Sequence, residues 1–481
     1  MFKLTPLTAA ILVIVSAQAI ADDSVSNQSQ FGDTNIADVK QTVAPFSTAT
    51  QLQQGLGNDA AAVQDHASST IDQSQAGEYN AGYAEQLYED GSTITQQQAG
   101  SLNVAHASQS IGVGSSEALQ QQSGSGNFSF IYQDSQDATT AKTYQFGDNN
   151  EANIEQTELG VANNATVIQY GNGNYGTAEQ TFQTNGQIGI NQAGSGNYAY
   201  GDQRDGDGST LTINQHGDLN GTEVWQDSQL ASETTINQYG QSNETVVDQS
   251  FGENNSATVL QVGDLNAIYA DQFESLSSTV ALYQQGTGNV HFTYQTGDGH
   301  VLNATSMGDG NKVYASNWKG PQAGGQFGSN QMATVNQYGS NNVANFTQKD
   351  TGHIMTTNQS GTGNKTTVSQ ADSYNELYFD QNGSDNILIS DQRGETNLAQ
   401  GSSNGYGNST EFDQSGSSNQ AYTAQYGSDN MITVKQADTM NVAYVTQGGS
   451  GNIASVDQSG MTQTATVQQY GSTNKATVLQ Q

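Results

Sequence analysis

Through the last third of the chain, buried-type and amide residues fall on every second position of a short segment, and the alternation then stops for four residues before resuming. Asn474, Ala476, Val478 and Gln480 are one such segment. A period of two is the side-chain period of a strand and places all four on one face. The intervening Tyr470, Gly471, Ser472 and Thr473 carry turn chemistry. The unit repeats without slipping: glutamine stands at Gln326, Gln337, Gln348, Gln359, Gln370, Gln381, Gln392, Gln414, Gln425, Gln436, Gln447, Gln458, Gln469 and Gln480, one every eleven residues, with Ser403 the sole substitute. Five residues after most of these comes asparagine, as at Asn342, Asn364, Asn386, Asn430, Asn452 and Asn474. An eleven-residue spacing can also supercoil helices. A helix is rejected because glycine in every unit would cost it about 1 kcal/mol each time, and because β-branched and aromatic residues fill the alternating positions.

Upstream the same unit returns with a longer step. Gln169, Gln192, Gln215, Gln238, Gln261 and Gln284 are 23 residues apart and are followed by Asn174, Asn197, Asn220, Asn243, Asn266 and Asn289. Between them lie half-units with a looser turn, such as Ser209-x-Leu211-x-Ile213-x-Gln215. A full rung here reads strand, tight turn, strand, looser turn. A fixed period over many copies signals a repeat architecture. The predicted fold is therefore all-β: a β-solenoid or cross-β stack of about 20 strand-turn-strand rungs with two strands each. The expected organisation is a signal peptide over 1–21, a short post-signal segment over 22–29, rungs of about 23 residues over 30–299, an irregular break over 300–325 where Trp318, Pro321 and the Gly324-Gly325 pair fit no rung, and strict eleven-residue units over 326–481.

One rung cannot bury its inner face, which closes only when another sits above and below it. Stacking aligns identical residues, so the glutamine and asparagine columns are expected to hydrogen-bond along the axis while Ala, Val, Ile and Leu interdigitate between the strands. The same columns, with the open strand edges at the ends, are the expected self-assembly residues.

Composition narrows the function. Only 33% of the 481 residues are hydrophobic and 12% charged, which suits a thin repetitive core better than a globule. A net charge of −35 argues against nucleic acid and anionic lipid as partners. The absence of cysteine excludes disulfides, thiol nucleophiles and Cys-ligated zinc. Lys3, the apolar run Ala9 to Val15 and the small residues around Ala21 read as a secretory signal cut after Ala21, and no later segment is apolar enough to insert in a membrane.

The rung Ser209-x-Leu211-x-Ile213-x-Gln215-x-Gly217-x-x-Asn220-x-Thr222-x-x-x-Gln226 closely resembles the curlin repeat of bacterial curli, the secreted amyloid fibres of biofilms. That resemblance implies a secreted subunit that polymerises with itself into extracellular, cell-surface fibres for adhesion and biofilm matrix. It also implies a second curlin-like subunit as partner, either nucleator or major subunit, periplasmic chaperones, and an outer-membrane secretion channel that reads the segment after the signal peptide. This chain carries several times the handful of rungs usual in such subunits.

No residue set is expected to be catalytic, to hold a cofactor or to bind a metal. Gly171-x-Gly173-x-x-Gly176 matches a dinucleotide fingerprint, yet it is a repeat turn with no helix to receive a phosphate. Gly401-x-Ser403-x-Gly405 matches a nucleophile elbow only by Ser403 replacing a column glutamine. The six histidines are scattered, and Asp202, Asp205 and Asp207 lack the glutamate of a calcium loop. More orderly are Glu155, Glu179, Asp202, Asp248 and Asp271, each just before a glutamine, with Trp225 interrupting; they are expected to line one outer column and to act as gatekeepers against premature stacking. Aromatic residues after the column glutamine, such as Phe146, Tyr170, Tyr239 and Tyr426, are expected to stack along the ribbon. The alternative to a fibre subunit is a soluble monomeric β-solenoid that binds an extended ligand, polysaccharide or ice, on a flat face.

Overall fold

The computed structural model describes residues 23–112, 114–316 and 324–481. Every regular element among them is a strand, and all pairings between strands are parallel and, outside the stretch from 290 to 351, join each strand to the one two places along the chain. The chain therefore alternates between two sheets. Sheet A begins with Val25–Asp33 and Thr48–Leu56 and ends with Thr464–Ser472; sheet B begins with Ile36–Thr42 and Asp59–Asp65 and ends with Lys475–Gln480. One strand from each makes a rung, and sheet A contains 20 strands. The expected two-strand solenoid is what is found.

The alternation dictates which side chains enter the space between the sheets. In Asn164–Asn172 of sheet A, Ala165, Val167 and Gln169 are buried; in Tyr175–Thr181 of sheet B, Gly176, Ala178 and Gln180 are. Each rung thus contributes a few small or aliphatic residues flanked by amides, and stacking turns these into a continuous narrow core running from Ala49 to Val467. Because the inner faces meet across so little width, neighbouring volumes must compensate. Where sheet A offers Ala399, Gly401 and Ser403, sheet B offers Phe412, which packs edge-on against Phe379 with ring centroids 6.0 Å apart.

Glycine closes the tight turn. Gly217 sits at φ 113°, and a Cβ there would lie 2.1 Å from the carbonyl oxygen of Gly240 in the next rung. No side chain fits that approach, so the turns stack only as glycine on glycine.

Both sheets cross the stretch expected as an irregular break. Val301–Asp309 pairs with Met332–Ser340 in sheet A, while Lys312–Ala315 and Gly325–Ser329 together occupy a single strand position of sheet B, each pairing with Val290–Asp298 on one side and Val343–Thr351 on the other. Gly325 thus opens a short strand rather than lying outside the rungs. Trp318 and Pro321, which mark the expected break, lie outside the described residues, as does the expected signal peptide over 1–21. Of the expected post-signal segment, Val25 to Ser29 stand in the first strand of sheet A.

Candidate assembly ladders and acidic face

The amides sit where backbone geometry leaves polar groups to satisfy. In sheet B twenty glutamines from Gln41 to Gln480 form an unbroken chain of contacts, each Nε2 donating to Oε1 of the next at 2.7–2.9 Å. Gln295, Gln326 and Gln348 carry it across the split strand. Sheet A holds the column of Gln169, Gln192, Gln215, Gln238, Gln261 and Gln284, linked at 2.9–3.0 Å. It resumes at Gln337, Gln359 and Gln381, linked at 2.8 and 2.9 Å, and again at Gln425, Gln447 and Gln469, linked at 3.1 and 2.8 Å. Each amide also reaches across the core: Gln192 Nε2 donates to the carbonyl oxygen of Tyr175 at 2.9 Å, tying sheet A to the start of the facing strand.

The asparagines run the other way. Asn197 Nδ2 donates to Asn174 Oδ1 at 3.0 Å and to the Gly217 carbonyl at 2.7 Å, and its backbone N–H donates to Asn174 Oδ1 at 3.1 Å. The pattern repeats through Asn220, Asn243, Asn266 and Asn289 and again at Asn342, Asn364, Asn386, Asn430, Asn452 and Asn474. These side chains satisfy the carbonyls and N–H groups of the turn, which would otherwise be buried unpaired at a cost of about 1–3 kcal/mol each. In the side-chain columns each glutamine thus donates to the glutamine of the next rung and each asparagine to the asparagine of the preceding one, so the stack has a polarity.

Two serines replace glutamine in sheet A, and each is accommodated differently. Ser306 Oγ donates to Gln337 Oε1 at 2.8 Å, and the space it leaves holds the fully buried His291, whose Nε2 meets Ser306 Oγ at 2.8 Å. Burial drives the His291 imidazole down to about 3. Ser403 Oγ donates to Gln425 Oε1 at 2.8 Å and lies 3.4 Å from Thr410 Oγ1 on the facing strand.

A further ladder escaped the sequence reading. Gln28, Gln51, Gln73, Gln96 and Gln120, two residues before the main column, are joined at 2.7–3.0 Å, and the run ends where Gln120 Nε2 donates to Ser129 Oγ at 2.8 Å. Its signal was present, since glutamine occupies two same-face positions of five successive sheet A strands.

On the outer face of sheet B the acidic residues fall in one column, in register Glu155, Glu179, Asp202, Trp225, Asp248, Asp271. Desolvation, with the neighbouring Glu179 charge second, raises Glu155. Burial raises Asp202 to about 6 against the opposing pull of Arg204, whose Nη2 lies 3.1 Å from Asp202 Oδ2. Burial, reinforced by Asp248, raises Asp271 to about 7, and burial also raises Asp248 although Ser250 Oγ donates to it at 2.5 Å. Of the expected aromatic stacking, Phe146 and Tyr170 lie face to face at 5.1 Å and Tyr239 lies on His216 at 5.2 Å. Tyr170 is half exposed and Tyr426 slightly more so.

The curlin associated repeat matches this chain three times, over residues 184–217, 231–263 and 405–437. The chain carries curlin-type repeats. The matches fall on both the longer upstream rungs and the shorter downstream ones, each spanning a glutamine and asparagine of the ladders just described. Curlin repeats mark a curli-like subunit, and the family is structural rather than catalytic, extracellular, and associated with assembly into fibres. No curated protein matches the chain closely enough to stand as a relative.

Proposed function

We propose that this curlin-repeat chain is a secreted structural subunit that stacks head to tail into curli-like amyloid fibres at the cell surface, supporting adhesion and biofilm matrix. The observation that carries the reading is the state of the two ends of the stack. Val25–Asp33 is exposed along its whole length, and Lys475–Gln480 alternates between exposed and half-buried. Unpaired parallel edges are templates for further strands. The ladder polarity makes the two ends complementary: Gln469 and Gln480 face the direction in which glutamine amides donate, while Gln30 and Gln41 stand at the accepting end. A second copy laid on the first continues the two main glutamine columns without reversing a bond.

The acidic column acts as a gatekeeper within this scheme. Burial of Glu155, Asp202, Asp248 and Asp271, and after it the repulsion between neighbouring carboxylates of the column, which includes Glu179, disfavours their charged forms in the stack at neutral pH, and acid relieves it. A second curlin-like subunit, periplasmic chaperones and an outer-membrane channel complete the proposed set of partners.

Electron microscopy and fibre diffraction of the mature chain test the reading. Unbranched fibres with a meridional reflection near ~4.8 Å are expected. Stable single particles that ignore concentration over days would refute it and favour the monomeric ligand-binding solenoid.

A further inference from the structure

The acidic column is interrupted once, at Trp225, and there the outer face of sheet B opens into a cleft of about 380 Å³. Four neighbouring strands build it: Tyr198–Arg204, Gly221–Leu230, Glu244–Glu253 and Ala267–Leu276. Its walls include Trp225 and Tyr269; its charges are Asp202, Asp227 and Asp248 against the single guanidinium of Arg204. The cleft is on the flank of the ribbon, many rungs from either end, so it stays open whether or not copies stack.

One atom in it points to a ligand. Asp202 is only 6% exposed, and its Oδ1 is buried without a hydrogen-bond partner. Its Oδ2 is held by Arg204, whose side chain is half exposed, and the nearby Tyr200 hydroxyl, which donates to Glu179 Oε2 at 2.9 Å, also favours its charged form. A buried carboxylate oxygen with nothing to accept from is costly unless a donor fills the gap. Facing it are aromatic rings, with Trp225 and Tyr200 centroids 6.1 Å apart and tilted. Carboxylates do not converge here as metal ligands: among the described residues no group of three or more histidine, aspartate or glutamate side chains is gathered tightly enough to hold an ion. The remaining chemistry that suits an unmet acceptor, excess negative charge and an aromatic wall is an organic cation.

We propose that this cleft binds an alkylammonium ion, the ammonium donating to Asp202 Oδ1 and the methylene stem lying along Trp225 and Tyr269. The same group is offered by a free polyamine and by a lysine side chain of another protein. Asp248 and Asp227 supply the surrounding negative field, and the Arg204 guanidinium keeps the second Asp202 oxygen occupied so that one acceptor remains.

The chain has two tryptophans, so Trp318→Phe leaves Trp225 as sole fluorophore. In that background the full mature chain is titrated with spermidine, with an N-acetyl-lysine amide, with a cello-oligosaccharide and with magnesium chloride, all at physiological salt. Saturable change in Trp225 emission with spermidine or the lysine amide is expected, and whichever binds more tightly names the source. Asp202→Asn should weaken that binding about tenfold or more, whereas Asp457→Asn, an acid far along the stack, should leave it unchanged. Equal loss in both variants would reduce the effect to counterion attraction by an acidic protein and overturn the proposal, as would saturation by magnesium or the oligosaccharide alone. Should Asp202→Asn lose its β-sheet circular dichroism, Trp225→Leu followed by calorimetry gives the same decision: unchanged spermidine affinity there also overturns it.

Discussion

Residues 25–309 and 325–480 build the same ribbon by different means. In both, the arc from the sheet A glutamine through the asparagine turn to the sheet B glutamine is eleven residues long, as in Gln169 to Gln180 and Gln447 to Gln458. The exception is the rung whose sheet B strand is split. All other variation in rung length lies in the return arc, which takes 13 residues from Gln156 to Gln169 and 12 from Gln203 to Gln215 but 11 from Gln436 to Gln447. The return corner differs as well. Downstream it carries an asparagine ladder: Asn419 Nδ2 donates to Asn397 Oδ1, to the Ser415 carbonyl and to the Asp438 carbonyl at 2.9–3.1 Å. Upstream the position is mixed: Ser209 Oγ makes a 3.3 Å bond to the Gln229 carbonyl while accepting the Ser232 N–H at 3.4 Å, whereas in the 13-residue arc Asn163 Nδ2 donates to the Gln183 carbonyl at 2.6 Å and its Oδ1 accepts the Gly186 N–H at 2.9 Å. The return arc thus takes extra residues whether a hydroxyl or an amide staples its corner.

The sharpest way to break this comparison is at glycine. Gly217→Ala in the tight arc should cost about 4 kcal/mol or more, since the new Cβ meets a backbone oxygen that cannot yield. Gly394→Asp, in the downstream return arc, brings a Cβ equally close to a backbone oxygen, 2.0 Å from that of Gly416, yet should cost less, because Asp372 and Asp438 occupy that turn position in nearby rungs at φ 74° and 67°, a shift the arc can make. Urea midpoints of the two variants check the contrast; equal losses would mean that both arcs are equally tight. The next effect is at the return corner itself. Asn419→Ala should lose about 3 kcal/mol and Ser209→Ala about 1 kcal/mol, in line with the number of buried partners each strands.

The third contrast is in pH. Asp202 and Asp271 lie upstream with carboxyls raised to about 6 and about 7, so the native stack favours their protonated forms. Their contribution is complete below the unfolded carboxylate range and is lost as pH rises through 6 to 7. Acidifying from pH 8 to pH 5 should therefore stabilise the chain on the order of 2 kcal/mol, and the double variant Asp202→Asn, Asp271→Asn should flatten that rise. His291 opposes it: its folded value of about 3 against an ordinary 6.5 means that its contribution is present above 6.5 and drains away as pH falls toward 3. His291→Leu should remove that acid loss in thermal melts. The smallest effect is expected for a single ladder gap. Gln215→Ala should cost about 1 kcal/mol, because Gln192 and Gln238 keep their bonds to the facing carbonyls of Tyr175 and Gly221, and the native gap at Ser403 shows that the stack survives one.

Much of this was legible beforehand. The alternation of Asn474, Ala476, Val478 and Gln480 and the recurrence of Gln and Asn gave strands, rungs and columns, because a period-two pattern at a fixed repeat has few ways to be buried. The second glutamine run from Gln28 to Gln120 went unseen because it parallels a stronger column two residues away. The pairing of His291 with Ser306 could not be read either. It joins residues on opposite sheets, and nothing in their spacing shows that one fills the space the other leaves.

The amino-acid sequence by itself determined the repeat, the strand faces, the glycine turns and the identity of the amide columns, since these follow from local backbone preference and side-chain period. Tertiary structure alone decided the direction in which each amide donates, the passage of both sheets across 300–325, and the burial that raises Asp202 and Asp271. Those depend on which atoms lie across a core only a few side chains wide and in the rung above, distances that no one-dimensional pattern contains.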